Sequence, residues 1–376
     1  MSLSPFDFYN ELKNNDIHFF TGVPDSLLKE FNNVIQQNVS SKNHIVTPNE
    51  GSAIALATGY HLSTKKIPLV YLQNSGIGNT INPILSLSSN DVYSIPMILV
   101  VGWRGQPGVK DEPQHISQGK YMETLLDSIE IPYKILPNTI EECKNIIANI
   151  LTSLKTNKKP HVLLVKKNLF SKYTQLKKNI SNPYLLQRHE ILEKIIKKYD
   201  KEPILSTTGK SSREILHYFQ ENNLDKSRLF LNVGAMGHVS MIGMGVALFS
   251  NKKIICIDGD GSVIMHMGNL SSIGTLQLKN YIHIVINNGM HQSVGIQPTV
   301  GFNIDLKTIA KGCGYNSCYT ITNTNEFDNV FNDIKDIDGP IFIEIRVNSK
   351  SNYNYDLPRP IITPIQRKIN FMNYLE

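Results

Sequence analysis

With 376 residues, 41% hydrophobic and 19% charged, the chain has room for two domains of ordinary size, and its composition is that of a globular rather than a disordered protein. Its formal charge of +6 comes from lysines scattered along the sequence rather than gathered with aromatic residues, which argues against a nucleic-acid groove and leaves room for an anionic small molecule. No apolar run is long enough to span a bilayer, and Met1 to Pro5 lacks the basic and apolar segments of a signal peptide, so the expected location is the cytoplasm.

In chain order, short apolar runs alternate with amphipathic stretches. The first half reads as strands at His18 to Val23, His44 to Thr47, Pro68 to Gln73, Met97 to Trp103, Tyr133 to Leu136 and His161 to Lys166. Helix starts are signalled by the pairs Ser4-Pro5, Asp25-Ser26 and Asn49-Glu50. Glu50 opens a helix among small residues, Gly51, Ser52, Ala53 and Ala55, that permit close approach of a flat ligand or a neighbouring subunit. Taken alone it reads as a first-turn carboxylate complementing the helix dipole; in a largely apolar setting its pKa would rise and proton sharing becomes possible.

A polar, irregular stretch follows, and then the pattern restarts. A helix is expected over Arg188 to Tyr199, and strands at Ile204 to Thr208, Leu229 to Val233, Lys253 to Ile257, Tyr281 to Asn287, Cys318 to Ile321 and Pro340 to Val347. Strict strand and helix alternation gives parallel sheets covered on both faces. The expected architecture is therefore two doubly wound α/β domains, residues 1–170 and 187–376, joined by a linker at 171–186. The four cysteines, Cys143, Cys256, Cys313 and Cys318, lack metal-ligand spacing and read as buried reduced thiols.

The most informative segment is Gly259-Asp260-Gly261-Ser262 after one apolar run, with Asn287-Asn288 closing the next. A glycine turn at a helix start offers backbone N–H groups to a diphosphate. Asp260 and Asn288, 28 positions apart (288 − 260), are separated by one helical crossover and can reach one hard cation. An ordinary βαβ unit with an amide-rich loop is the plainer alternative.

This pattern resembles the thiamin diphosphate fingerprint. The resemblance narrows to the phosphonopyruvate decarboxylase family through blocks spread over nearly the whole chain: Thr21-Gly22-Val23-Pro24-Asp25-Ser26, Gln73 to Asn79, Gly102 to Gly105 with Pro107 to His115, Thr207 to Glu214, and His291 to Gly295. It implies two thiamin diphosphate-binding domains without a middle domain. It also implies that Asp260, the Asn288 side chain and the Met290 carbonyl ligate Mg2+. Cofactor contacts would come from Asn74, Ser75, Gly209, Ser211, Met236, Gly237, Gly259, Gly261 and Ser262, with Met236 wedged beneath the cofactor. Glu50 would hydrogen-bond N1′ of the aminopyrimidine and so promote loss of the thiazolium C2 proton, chemistry that is the cofactor's own.

Decarboxylation of phosphonopyruvate to phosphonoacetaldehyde, in phosphonate biosynthesis, is the implied activity. Arg104 and Lys110 could provide a bidentate fork and a compact charge for the phosphonate, with His115 a third donor. Asp25, Ser26, His115 and His291 are the candidates for orienting substrate and moving protons. Two other readings are a sulfopyruvate decarboxylase or carboligase, and a cofactor-binding subunit without turnover. Glu50 and the cation ligands lie in different halves, and the resemblance implies that a site combines halves of two subunits, so at least a homodimer is expected.

Overall fold

The computed structural model describes residues 2–174, 182–349, 357 and 362–376. The chain divides into two compact units, Met1–Asn179 and Ile180–Glu376. Residues 175–181 of the expected linker lie outside the described residues.

The first unit carries β1 (Phe20–Gly22), β2 (His44–Val46), β3 (Leu69–Gln73), β4 (Ile98–Gly102), β5 (Tyr133–Ile135) and β6 (His161–Val165), in the order β2-β1-β3-β4-β6-β5. The second carries β7 (Ile204–Ser206), β8 (Leu229–Leu231), β9 (Ile254–Gly259), β10 (Tyr281–Asn287), the short β11 (Met290–His291) and β12 (Gln297–Pro298), then β13 (Ser317–Ile321) and β14 (Ile341–Arg346). Its six-stranded sheet runs β8-β7-β9-β10-β14-β13, which retraces the connections of the first sheet strand for strand. All pairings in the two large sheets are parallel. Both units are doubly wound α/β folds of one topology.

Alternation along the strands explains why both faces are covered. In the first unit Tyr71, Ile98, Val100, Leu163 and Val165 enter one core, while Val70, Leu72, Leu99, Val101, Val162 and Leu164 enter the other. In the second, Ile255, Ile257, Ile282, Ile284, Ile343 and Ile345 face one core, and Cys256, Tyr281, Val285 and Phe342 the other. A strand buried on both sides must be apolar at every position, so these strands read as continuous runs rather than alternating ones.

Three expectations need correction. Ser4 and Asn49 do cap helices, accepting from Asp7 N at 3.2 Å and Ser52 N at 2.9 Å, but Asp25-Ser26 does not, because the next helix starts only at Lys29. Asp25 instead accepts from the N–H of Leu27 at 2.8 Å, closing a local turn. The glycine turn expected after β9 is a direct junction: Asp258 and Gly259 extend the ladder opposite Val285 and Ile286, and the helix Asp260–Met265 follows without a break. Cys143 and Cys256 are buried, whereas Cys313 and Cys318 are only half-buried; all four are free thiols.

In each unit the chain departs in opposite directions from adjacent strands, at β1/β3 and at β7/β9. Open α/β sheets bind ligands beyond the carboxyl ends of strands at such switch points. A cavity of about 750 Å³ lies at the opposite, amino-terminal edge of the first sheet, lined by Asp16, Ile17, Lys65, Lys66, Ile95, Lys155 and Lys158 among others. Two of its lysines, Lys65 and Lys158, are the C-cap residues of helices Glu50–Thr64 and Ile140–Asn157, where a cation complements the helix dipole.

Candidate active site

Two clusters of polar side chains occupy the carboxyl edges, one in each unit. In the first, Glu50 begins the helix Glu50–Thr64 after β2, and only 6% of its surface is exposed. Its Oε2 accepts from Asn79 Nδ2 at 2.7 Å, and any side chain at Gly76 would run into its carboxylate. Burial raises the Glu50 pKa above the ordinary carboxyl value, against the lowering effect of the Asn79 bond. A carboxyl in that state can hold or release a proton at a nitrogen placed against it.

Asp25, fully buried after β1, accepts from Gln73 Nε2 at 2.5 Å, and Gln73 Oε1 in turn accepts from the exposed Ser75 Oγ at 2.7 Å. Asn74 Nδ2 donates to the Arg104 carbonyl at 2.8 Å and its Oδ1 accepts from Arg104 N at 3.1 Å, tying the end of β3 to the loop after β4. The Arg104 guanidinium forks onto Asp111, with Nε to Oδ2 at 2.8 Å and Nη2 to Oδ1 at 2.5 Å, while Nη1 donates to Ser26 Oγ at 2.8 Å. Asp111 also accepts from the N–H groups of Gly105 and Glu112, at 2.9 and 2.8 Å. Burial alone would raise the Asp111 carboxyl, but Arg104 and those N–H groups together hold it well below the usual carboxylate range.

Arg104 is therefore a paired cation, with its Nη1 edge turned to Ser26. Lys110 is exposed, and its carbonyl accepts from Lys167 Nζ at 3.3 Å. His115 is half-buried with an unpartnered Nδ1, and burial followed by the Arg104 charge lowers its pKa. Trp103 is buried and donates from Nε1 to the Gly119 carbonyl at 3.0 Å, which closes the loop from behind.

The second cluster centres on Asp260, 3% exposed at the start of its helix. Burial pushes its carboxyl up to about 6, although a bond from Thr299 Oγ1 and the Asn288 N–H, at 3.4 Å, act the other way. The Asn288 Oδ1 accepts from Met290 N at 3.1 Å, and Met290 lies in β11. Ser262 Oγ accepts from Gly237 N at 3.0 Å and from Thr207 Oγ1 at 3.1 Å. Gly237 has φ +89°, and a Cβ there would also meet the His266 ring. Gly209, φ +111°, precedes the helix Lys210–Glu221 with Ser211 in its first turn, and a Cβ on it would lie 3.2 Å from Ser293 Oγ. Neither Gly259 nor Gly261 has a positive φ; Gly261 is needed for space, since a Cβ would lie 2.7 Å from His291 Cε1. His291 is pushed down to about 4 by burial. Met236 is half-buried on the loop after β8.

The structure thus gathers Asp25, Ser26, Asn74, Ser75 and Arg104 in the first unit, with Glu50 against Gly76 next to Ser75. It gathers Gly209, Gly237, Gly259, Asp260, Gly261, Ser262, Asn288 and His291 in the second. Gln73, Asn79, Asp111 and Thr299 were not singled out from the sequence. The first three lie within blocks that carry the family resemblance, but nothing in the sequence marks Thr299, which reaches Asp260 only through the fold.

The donor set fits a hard cation bridging a diphosphate. Asp260 is a buried carboxylate that accepts from the Asn288 N–H, and among the described residues no group of three His, Cys, Asp or Glu side chains could hold a metal unaided. Oxygen donors of the ligand would complete such a shell, as is usual for Mg2+. The helix at Asp260 has six residues, so its free N–H groups matter more here than its dipole.

The chain is similar over most of its length to known thiamine pyrophosphate enzymes. The thiamine pyrophosphate enzyme N-terminal TPP binding domain matches residues 7–130, and the C-terminal TPP binding domain matches residues 207–345. The chain is 31% identical to a phosphonopyruvate decarboxylase of Streptomyces viridochromogenes over 363 residues, 92% of this chain and 88% of that one. It is 29% identical to a phosphonopyruvate decarboxylase of Streptomyces hygroscopicus, covering 88% of this chain and 84% of the other. A sulfopyruvate decarboxylase of Methanosarcina acetivorans is 27% identical, with coverage of 81% and 80%.

Proposed function

We propose that this chain, which belongs to the phosphonopyruvate decarboxylase family of thiamine pyrophosphate enzymes, converts 3-phosphonopyruvate to phosphonoacetaldehyde and carbon dioxide with Mg2+ as a second cofactor. The chain is a carboxy-lyase acting on a 2-keto acid. Bound thiamine pyrophosphate supplies the electron sink that lets the carboxylate leave as carbon dioxide. Glu50, its carboxyl pKa raised by burial, would hold the protonatable ring of the cofactor, and Asp260, Asn288 and the Met290 carbonyl would hold Mg2+. Gly261, Ser262 and neighbouring N–H groups would meet the diphosphate.

The observation that carries the substrate reading is the loop after β4. Asp111 takes the Nε and Nη2 edge of the Arg104 guanidinium, and Nη1 donates to Ser26 Oγ, which leaves the other Nη1 hydrogen and the Ser26 hydroxyl hydrogen as donors suited to a phosphonate oxygen. Asp25, which accepts from Gln73, and His115, whose Nδ1 is unpartnered, would place and exchange protons as the product forms. Sulfopyruvate is the second reading, because the sulfopyruvate decarboxylase match covers most of the chain and a sulfonate presents similar oxygens. The proposed place of the enzyme is phosphonate biosynthesis, and the proposed assembly is a homodimer that completes its sites between subunits.

The test is carbon dioxide release by purified protein, with and without thiamine pyrophosphate and Mg2+, using phosphonopyruvate, sulfopyruvate and pyruvate in competition. Higher kcat/KM for phosphonopyruvate, dependent on both cofactors, is the expected result. Preference for sulfopyruvate would overturn the substrate assignment.

A further inference from the structure

Asn287, the first amide of the Asn287-Asn288 pair, is fully buried and every polar atom of its side chain is engaged. Its Nδ2 donates to the Gly301 carbonyl at 2.7 Å and to Glu344 Oε1 at 2.6 Å, and its Oδ1 accepts from Gly289 N at 3.1 Å. It is a brace between two segments. One is the returning loop 299–301, whose Thr299 Oγ1 donates to Asp260 and accepts from Gly301 N at 3.1 Å. That loop is pressed onto the cation site, because a Cβ on Gly301 would lie 2.6 Å from both Asp260 Oδ2 and Asn287 Oδ1.

The other segment is β14, where Glu344 stands on the strand next to β10 with no exposed surface. Its Oε1 accepts from Asn287 and from Arg346 Nε at 2.9 Å, and its Oε2 accepts from Thr320 Oγ1 at 3.2 Å. Arg346 is held in turn by Tyr184 OH at 2.8 Å, and its guanidinium lies 5.7 Å from the centre of that ring. A connected line of hydrogen bonds runs from Arg346 and Thr320 through Glu344 and Asn287 to Gly301, Thr299 and Asp260. Removing a carboxylate from water is costly, and a fully satisfied buried network of this kind is well suited to selecting one geometry.

We propose that Glu344 is a positioning residue for the cation site. It fixes the Asn287 amide, and with it the loop that orients Asp260, without touching cation or diphosphate itself. This inference rests on the reading of Asp260 and Asn288 as Mg2+ ligands.

The test is titration calorimetry of Mg2+ binding in the presence of excess thiamine pyrophosphate, for wild type, Glu344→Gln and Arg346→Lys, with circular dichroism as a check of fold. Glu344→Gln keeps an acceptor for Asn287 but discards the charge that Arg346 holds in place. It should weaken Mg2+ about tenfold or more while kcat at saturating Mg2+ stays within about twofold of wild type, a split that a general loss of structure would not produce. Arg346→Lys keeps the charge but not the fork, and should weaken Mg2+ severalfold; it carries the test if Glu344→Gln does not fold. Unchanged Mg2+ affinity in a folded Glu344→Gln protein, or in Arg346→Lys where only that variant folds, overturns the proposal. A wild-type protein that binds the cofactor equally well in a chelator overturns instead the Mg2+ reading on which it rests.

Discussion

A carboxylate in the first turn of a helix is ordinarily solvated and ionised, because the dipole and the free N–H groups favour its charge. Glu50 has the position but not the solvation: its carboxyl is packed against Gly76 and held by Asn79, and burial shifts it toward the protonated form. Glu50→Gln retains the shape and a hydrogen-bonding amide while removing the ionisable group. Thiamine pyrophosphate should still bind, with affinity within about tenfold of wild type. Exchange of the cofactor C2 proton for deuterium, followed by NMR without substrate, should slow by at least about a hundredfold, in the range assigned to general acid–base groups. An unchanged exchange rate would leave Glu50 as a packing residue.

At the scale of elements, the loop Trp103 to His115 is held from within. Asp111 accepts four hydrogen bonds from Arg104, Gly105 and Glu112, so Arg104→Gln both removes a donor facing Ser26 and orphans a carboxylate. Arg104 and Lys110 therefore carry different predictions, since one is ion-paired and the other exposed. Arg104→Gln should lower kcat/KM for phosphonopyruvate about ten- to a hundredfold more than for pyruvate, the scale of a charge-assisted hydrogen bond of roughly 1.5–3 kcal/mol. Lys110→Gln, at an exposed position, should have an effect of less than about threefold, of the order seen for screened surface charges. Equal losses toward both substrates for Arg104→Gln would assign the loop to folding alone.

The strand β6 carries a second element-scale consequence. His161 is buried with neither ring nitrogen hydrogen-bonded, and burial lowers its pKa from 6.5 to about 4. A histidine whose folded pKa is depressed favours the folded state fully above its unfolded value, and that stability is lost as pH falls from about 6.5 toward 4. The change is roughly 3 kcal/mol at most, at 1.36 kcal/mol per unit. Denaturant unfolding of His161→Leu over this pH range should show a flatter acid limb than wild type; parallel limbs would show that His161 does not govern it.

For the whole molecule, the prediction concerns assembly. Leu62 in the first unit, and Leu248 and Phe249 at the end of the helix Val239–Leu248 in the second, expose 68%, 41% and 92% of their surfaces. Leu248 and Phe249 are consecutive exposed apolar residues that a second copy of the chain would cover in the proposed homodimer. Sedimentation should give a dimer or larger, and specific activity should fall on dilution. Phe249→Ser should move that fall to higher protein concentration, whereas full activity of a demonstrated monomer would overturn the shared-site reading.

The six strands of each large sheet were legible as apolar runs bounded by turn residues, most clearly β3, β4, β6, β9 and β10, which are buried on both faces, whereas the short β11 and β12 carry no such run. Gly259-Asp260-Gly261 and Asn49-Glu50 were legible because a local junction between strand and helix allows few residue types, and Asn287-Asn288 because it closes an apolar strand. Tertiary structure alone decided which donors meet which acceptors. Thr299 reaches Asp260 across 39 positions, Glu344 reaches Asn287 across 57, and Asn79 reaches Glu50 across 29. The pairing of Arg104 with Asp111 lies only seven positions apart, yet it depends on how Gly105 and Gly119 pack the loop against itself. Spacing and residue type describe what a segment can do by itself; a hydrogen bond between segments exists only once the sheet has set the distance between them.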